Sequence, residues 1–306
     1  MHVNAAGVST PGPSANLPRP GVWLTDITLV LMALLWGVNF VVVKFATGLL
    51  PPLAFNALRV TLAAVALMII AAAGRGPWPR RPQILALLGL GVLGNGLYQV
   101  FFIEGLAHTR ASDAAILVAA TPASIALIGR IRGSERIQRR GWSGILLSVV
   151  GVAFVSGAAA FTEARSSLVG DLFILCATVC WAFYTVLLKP HTHTADGIKL
   201  AALTMVGGAA SLMIIAWPEV IATDWRAAPA AAWGAMAYSG FGALVIAYMF
   251  WYRGVRILGP TRTAMYSNLQ PIIAVAVAWI ALGEIPTLWQ GVGAASIMSG
   301  LLLTRS

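Results

Sequence analysis

Ten apolar runs, each about 20 residues long, follow one another along the chain: 25–46, 52–73, 83–107, 112–131, 142–160, 168–189, 197–217, 230–252, 261–281 and 287–304. As helices rising 1.5 Å per residue, runs of this length cross roughly 30 Å of hydrocarbon. They do not alternate with period two, so membrane-barrel strands do not fit. Turn formers and charges separate them: Pro51-Pro52, Gly74 to Pro82, Gly133 to Arg140, Pro190 to Gly197, Trp217 to Pro229 and Gly259-Pro260. The pattern predicts an all-α integral membrane protein with ten transmembrane helices. Residues 1–24, with Pro11, Pro13, Pro18 and Pro20, read as a mobile cytoplasmic tail. They carry no basic start, apolar stretch and small-residue cleavage site of a signal peptide.

Composition sharpens this. Of 306 residues, 59% are hydrophobic and only 10% charged. A soluble domain carries about 25% charged residues, so a soluble enzyme is excluded, and so is a disordered chain. Two cysteines, Cys176 and Cys180, exclude a disulfide-rich secreted domain. The net charge of +10 has a topological reading rather than a nucleic-acid one. One side of the expected bundle holds Arg19, Arg75, Arg80, Arg81, Arg130, Arg132, Arg136, Arg139, Arg140, Lys189, Lys199, Arg253, Arg256, Arg262 and Arg305. The other holds Lys44, Arg59, Arg110, Arg165 and Arg226. Cytoplasmic loops collect the basic residues, which places both termini in the cytoplasm and the protein in the inner (plasma) membrane.

The halves repeat. Trp36 and Lys44 match Trp181 and Lys189 at an offset of 145. Phe101, Gly105, Pro122, Glu135, Gly144 and Gly151 match Phe250, Gly254, Pro271, Glu284, Gly293 and Gly300 at an offset of 149. Five spans in each copy, an odd number, turn the second upside down. Residues 25–160 and 168–304 therefore read as two inverted five-helix repeats, an architecture that serves alternating access with substrate between the copies.

The same residues resemble a known family. Leu35-Trp36-Gly37-Val38-Asn39-Phe40, with Lys44 after it, is similar to the first-helix signature of the drug/metabolite transporter superfamily, EamA type. Tyr248 to Trp251, Gly254, Leu258-Gly259, Pro271, Gly283-Glu284, Gln290, Gly293 and Gly300 resemble its second-repeat pattern. The first repeat departs from it, with Gly141 where the second has Gln290 and Ser134 where it has Gly283. The resemblance covers 25–304. It implies ten helices in two inverted five-helix repeats and export of amino acids, metabolites or drugs.

Mid-span chemistry narrows the substrate. Polar groups in hydrocarbon are costly unless paired or facing water. Trp36, Asn39, Tyr98, Gln99, Trp181, Tyr184, Tyr248, Tyr266 and Asn268 are the expected substrate-binding residues; Asn95, Thr121, Thr185, Tyr238 and Gln270 lie at similar depth. Neutral donors and acceptors among aromatic faces suit a small amphipathic or zwitterionic solute. No acidic or basic residue lies near a span centre, with Arg59 the one borderline exception. That disfavours both cationic drugs and sugar phosphates. Pro122 and Pro271 are expected to kink their spans and free the carbonyls of Val118 and Ser267. Glu104 and His108, at i and i+4, are candidates for proton coupling rather than metal binding. Gly144, Ser148 and Gly151, with Gly293, Ser296 and Gly300, form small-residue faces expected to pack spans five and ten. No nucleophile-elbow, zinc-protease or nucleotide-binding loop pattern is present.

The expectation is a secondary transporter, not an enzyme, without cofactor or metal. It exports small neutral or zwitterionic metabolites, amino acids including aromatic ones foremost. The alternatives are a multidrug or other metabolite exporter of the same fold, or an intramembrane enzyme. The expected partners are that small-molecule substrate and the lipid bilayer, with no nucleic acid, for a chain read as a monomer.

Overall fold

The structure is a computed structural model that describes residues 22–132, 139–161, 165–193, 196–258, 263, 266–267 and 269–305. Residues 1–21 of the expected tail, 133–138 of the arginine cluster, and Asn268 lie outside the described residues. Among the described residues there are helices and turns and no strand. The helices are α1 (Val22–Thr47), α2 (Pro52–Ala73), α3 (Arg81–Gly91), α4 (Tyr98–His108), α5 (Ala111–Val118), α6 (Thr121–Ile131) and α7 (Arg139–Phe161). They continue with α8 (Arg165–Leu188), α9 (Gly197–Ala222), α10 (Ala230–Ala237), α11 (Ala247–Leu258), α12 (Leu269–Leu282) and α13 (Leu288–Arg305). Two π-helical segments, Val92–Leu97 and Tyr238–Ile246, run α3 into α4 and α10 into α11.

Among the described residues, seven helical stretches are long and apolar enough to cross a membrane: Trp23–Thr47, Pro52–Ala73, Arg81–His108, Ala111–Ile131, Leu168–His191, Gly197–Ala222 and Ala230–Gly254. Gly141–Val155 and Leu269–Leu282 are shorter apolar helices. Within the expected run at 261–281 the described residues include a turn at Ser267 and the 14-residue α12, which begins at Leu269.

Local chemistry accounts for several boundaries. Pro52 opens α2 where its missing N–H costs nothing. The Asp196 carboxylate accepts the Ile198 N–H at 2.9 Å and caps α9. That helix runs past Pro218 to Ala222. One forfeited backbone bond in its last turns does not stop it.

The expected proline kinks are helix breaks instead. α5 ends at Val118 and α6 starts at Thr121, with Pro122 in its first turn. Pro271 likewise stands in the first turn of α12. The carbonyls these prolines free are not orphaned. Val118 O accepts the Thr121 hydroxyl, and Ser267 O accepts the Gln270 N–H at 3.1 Å.

Packing mirrors itself between the halves. α7 lies antiparallel against α13: a Cβ on Gly300 would land on the Gly144 carbonyl, and one on Gly151 would come 2.8 Å from Gly293 O. Only glycine permits backbones this close. α2 also packs on α9, one helix from each half. Contact between α4 and α8 has a counterpart between α1 and α11, and α1 on α12 has one in α8 on α6. The first π-helical segment packs on α9, and the second on α2. Shifted by the 149-residue offset, Val92–Leu97 falls on 241–246, inside the second π-helical segment.

The outer surface is apolar. Ile69, Leu85, Ile131, Ile214, Ile280 and Leu288 are exposed, while Asn39, Asn56, Asn95, Gln99 and Ser239 are buried. Polar inside and apolar outside is the arrangement a hydrocarbon solvent requires.

Candidate functional site

A cavity of about 160 Å³ opens between the two halves. Its walls come from Trp36, Asn39 and Phe40 of α1, Arg59 of α2, and Tyr98, Gln99 and Phe102 of α4. The α5–α6 break adds Ala119 and Thr121; α8 adds Thr178, Trp181 and Thr185. The second half closes it with Ala243, Leu244, Tyr248 and Trp251, and with Ser267, Gln270 and Pro271. No described lining residue comes from α7, α9 or α13.

The aromatic rings form one connected surface. Trp36 meets Trp251 at 5.7 Å between centroids and Tyr248 edge-on at 5.9 Å. Tyr248 meets Trp181 at 6.3 Å, and Trp181 meets Tyr98 at 5.1 Å. Tyr98 stacks on Phe102 at 5.7 Å, which meets Phe40 at 5.6 Å. The Trp36 indole N–H donates to Ala243 O at 2.9 Å, a carbonyl of the second π-helical segment. π-helical turns recur at functional sites because they re-aim side chains and carbonyls.

One wall is polar. Arg59 is 1% exposed. Its Nε donates to Asn56 Oδ1 at 2.7 Å, one terminal nitrogen to Gln99 Oε1 at 2.7 Å, and the other to the Ser239 hydroxyl. Ser239 Oγ donates to Asn39 Oδ1 at 2.7 Å, and Asn56 Nδ2 to Gln99 O at 2.8 Å. The guanidinium carbon lies 5.9 Å from the Phe55 ring centre and 6.0 Å from that of Phe102.

Of the expected binding residues, Trp36, Asn39, Tyr98, Gln99, Trp181 and Tyr248 meet at this cavity. Tyr184 is not on its wall: it is buried behind Trp181, its hydroxyl 3.2 Å from Thr204 Oγ1. Tyr266 does not line it either and donates to Asp26 Oδ1 at 2.7 Å. Pro271 lines the wall; Pro122 is described only by its place in α6.

A family model describing the EamA-like transporter family matches residues 23–157 and again 168–306. The chain belongs to the EamA-like transporter family. It is a multi-span membrane transporter, not an enzyme. It is 27% identical over 280 residues to an uncharacterised transporter, YyaM, of Bacillus subtilis, covering 90% of this chain and 92% of that one. It is 26% identical to a probable terminal-alkyne amino-acid exporter of Streptantibioticus cattleyicolor, covering 90% and 91%. It is 27% identical to a probable amino-acid metabolite efflux pump of Salmonella typhimurium, covering 90% and 92%. A solved crystal structure superposes with a TM-score of 0.63 at 22% identity, over 92% of this chain and 98% of the other, and so shares the fold.

The sequence counted Arg59 of this transporter among the basic residues of one side, while marking it as the borderline exception near a span centre. It is instead an interior residue, and the charge bias between the two sides is counted without it. Its position two turns inside α2 was the available signal. Ser239 and Asn56, which hold it, gave none, being small neutral groups far apart in the chain.

Glu104 and His108 lie away from the cavity, near the end of α4. The His108 ring donates to Glu104 O at 2.8 Å, and the carboxylate stands 4.0 Å off. The same end of the transporter is tied together by Glu284. The left-handed backbone of Gly283, φ 68°, turns the chain out of α12 and sets Glu284 beside α5. Its carboxylate accepts the N–H groups of Ala111 and Ser112 at 3.0 and 3.1 Å and the Ser112 hydroxyl at 2.6 Å. An anion at a helix N-terminus meets orphan donors and the positive end of the helix dipole. Arg110 stands 3.8 Å from that carboxylate and donates to Ile285 O at 2.8 Å. Gln290 completes the tie by donating to Asp113 Oδ1 at 2.7 Å.

Proposed function

We propose that this EamA-like transporter exports small neutral or zwitterionic metabolites, foremost amino acids including aromatic ones, by alternating access. The observation that carries the reading is the cavity between the halves, walled by a continuous aromatic surface and a few amide and hydroxyl groups. Aromatic faces take both an apolar side chain and an ammonium group. At about 160 Å³ the space lies below the roughly 300–1,000 Å³ of drug-sized pockets. The described lining residues include no carboxylate for a cationic drug. The names of the Streptantibioticus and Salmonella relatives support the amino-acid class.

In this reading ten spans form two inverted repeats, 25–160 and 168–304, behind a cytoplasmic tail at 1–24. The mirrored helix pairs and the matched π-helical segments support it. So does the antiparallel α7–α13 contact: Gly144 meets Gly300 and Gly151 meets Gly293, and the 149-residue offset exchanges the two pairs. A two-fold axis that does this lies across the helices, in the membrane plane. The basic-residue bias supports cytoplasmic termini in the inner membrane.

The test is efflux and counterflow of radiolabelled amino acids in proteoliposomes, with and without a proton gradient. Protein-dependent exchange of at least one is expected. Carriage of quaternary-ammonium dyes with no amino-acid exchange would replace this reading by the multidrug one.

A further inference from the structure

We propose that Arg59 is the anchor for a carboxylate on the transported molecule, so that the substrate class is carboxylate-bearing solutes and not their amides or amines. The proposal rests on the reading of the cavity as the transport site.

Arg59 is the only charged residue among the described lining residues, and it is fully enclosed by protein. Among the described residues no carboxylate forms an ion pair with it. A guanidinium does not shed its proton to escape burial. A buried charge held only by neutral groups is costly to keep, and within a membrane bundle such a residue marks a functional site by default. Its surroundings hold it as a cation and leave it unneutralised. Asn56 spends an N–H on Gln99 O, and Ser239 spends its proton on Asn39, so both turn oxygen toward Arg59. Gln99 Oε1 is the third neutral acceptor.

The guanidinium has five N–H groups. Three are committed among the described residues, one on each nitrogen. One therefore remains on each terminal nitrogen, enough donors for the two oxygens of a carboxylate. Phe55 and Phe102 flank the group and keep other polar partners away. A single fixed positive charge matches a monoanion; a phosphate dianion would be left half-compensated. The aromatic surface from Trp36 to Trp181 then receives the rest of the solute, an ammonium included. A free amine without a carboxylate meets only repulsion from Arg59.

The experiment is competition against radiolabelled L-phenylalanine counterflow in proteoliposomes, using L-phenylalanine, L-phenylalaninamide, phenethylamine and 3-phenylpropionate. Where phenylalanine itself is not carried, another amino acid that is carried takes its place with its amide and amine. The expected result is that the amide and amine compete on the order of 100-fold less well than the acid, the loss typical of removing one partner of a buried charge pair. Arg59→Gln should bring acid and amide to within a few-fold of each other. Arg59→Lys should keep part of the preference. The wild-type comparison needs no variant, so a misfolded Arg59→Gln protein leaves the test intact. Equal competition by acid and amide in the wild type overturns the anchor while leaving transport standing. So does an Arg59→Gln protein that keeps the full preference. If no amino acid is carried at all, the transport reading and the anchor fall together.

Discussion

Trp36 and Trp181 are repeat mates held in different ways, so their substitutions should differ. The Trp36 N–H is bonded to Ala243 O. Trp36→Phe removes that hydrogen bond, and the expected cost is about 0.5–1.5 kcal/mol of stability, read as a lower unfolding temperature in detergent. Trp181 is half-buried and presents its ring to the cavity between Tyr98, Tyr184 and Tyr248. Trp181→Ala should weaken substrate affinity by about 0.5–2 kcal/mol, up to ~30-fold, with folding near wild type. A Trp181→Ala protein that unfolds early while its folded fraction transports normally would show a packing residue instead. At this scale Trp36, Asn39, Tyr98, Gln99, Trp181 and Tyr248 were legible, because such groups at mid-span turn inward, whereas the pattern did not separate them from Tyr184 and Tyr266, which find partners behind or beside the wall. Arg59 was not. A basic residue two turns from a span end reads as an outer-side charge until the acceptors around it, on its own helix, on α4 and on the second π-helical segment, are in place.

Helices were legible as far as their apolar length announced them. Their breaks were legible only in part: Pro122 and Pro271 marked the places, but the hydroxyl and the amide that rescue the freed carbonyls decided for breaks over kinks. The π-helical segments left no trace in the apolar pattern, because one surplus residue changes the phase of a helix and not its composition. The small faces of α7 and α13 were legible, and their mutual contact gives a sharp expectation. Gly151→Ala puts a methyl 2.8 Å from Gly293 O, backbone that has no rotamer to yield. Overpacking of this kind costs about 1–3 kcal/mol, and the thermal unfolding midpoint should fall. Gly291→Ala, on α13 with open space around it, should not lower it. Equal effects of the two would mean that α7 and α13 do not touch as described.

For the molecule as a whole, the Glu284 tie fastens α5 of the first half to the α12–α13 connection of the second. The repeat was legible from matching residues, Glu284 among them. The tie itself was not, since it depends on the turn at Gly283 and on which helix start lies beneath the carboxylate. Glu284→Ala removes three hydrogen bonds and the charge facing Arg110. In a protein with Cys176 and Cys180 replaced by serine and Ala115→Cys as reporter on the cavity wall, an impermeant maleimide added from the Arg110 end should then label faster. Unchanged labelling would show that this end stays shut by other contacts.

The surplus residue in Val92–Leu97 acts as a phase setting for the whole rod from Arg81 to His108. Rewinding that segment as ordinary α-helix with every residue kept would turn one half of the rod by about 100° relative to the other, the angle between successive residues at 3.6 per turn. The Arg81 half is pinned against α9 by backbone contacts at Gly91 and Gly207. The Tyr98 half is the one left to swing. Tyr98 would then leave the ring surface and Gln99 would leave Arg59, whereas a protein one residue shorter in this segment, wound as ordinary α-helix, would keep both in phase with the wall.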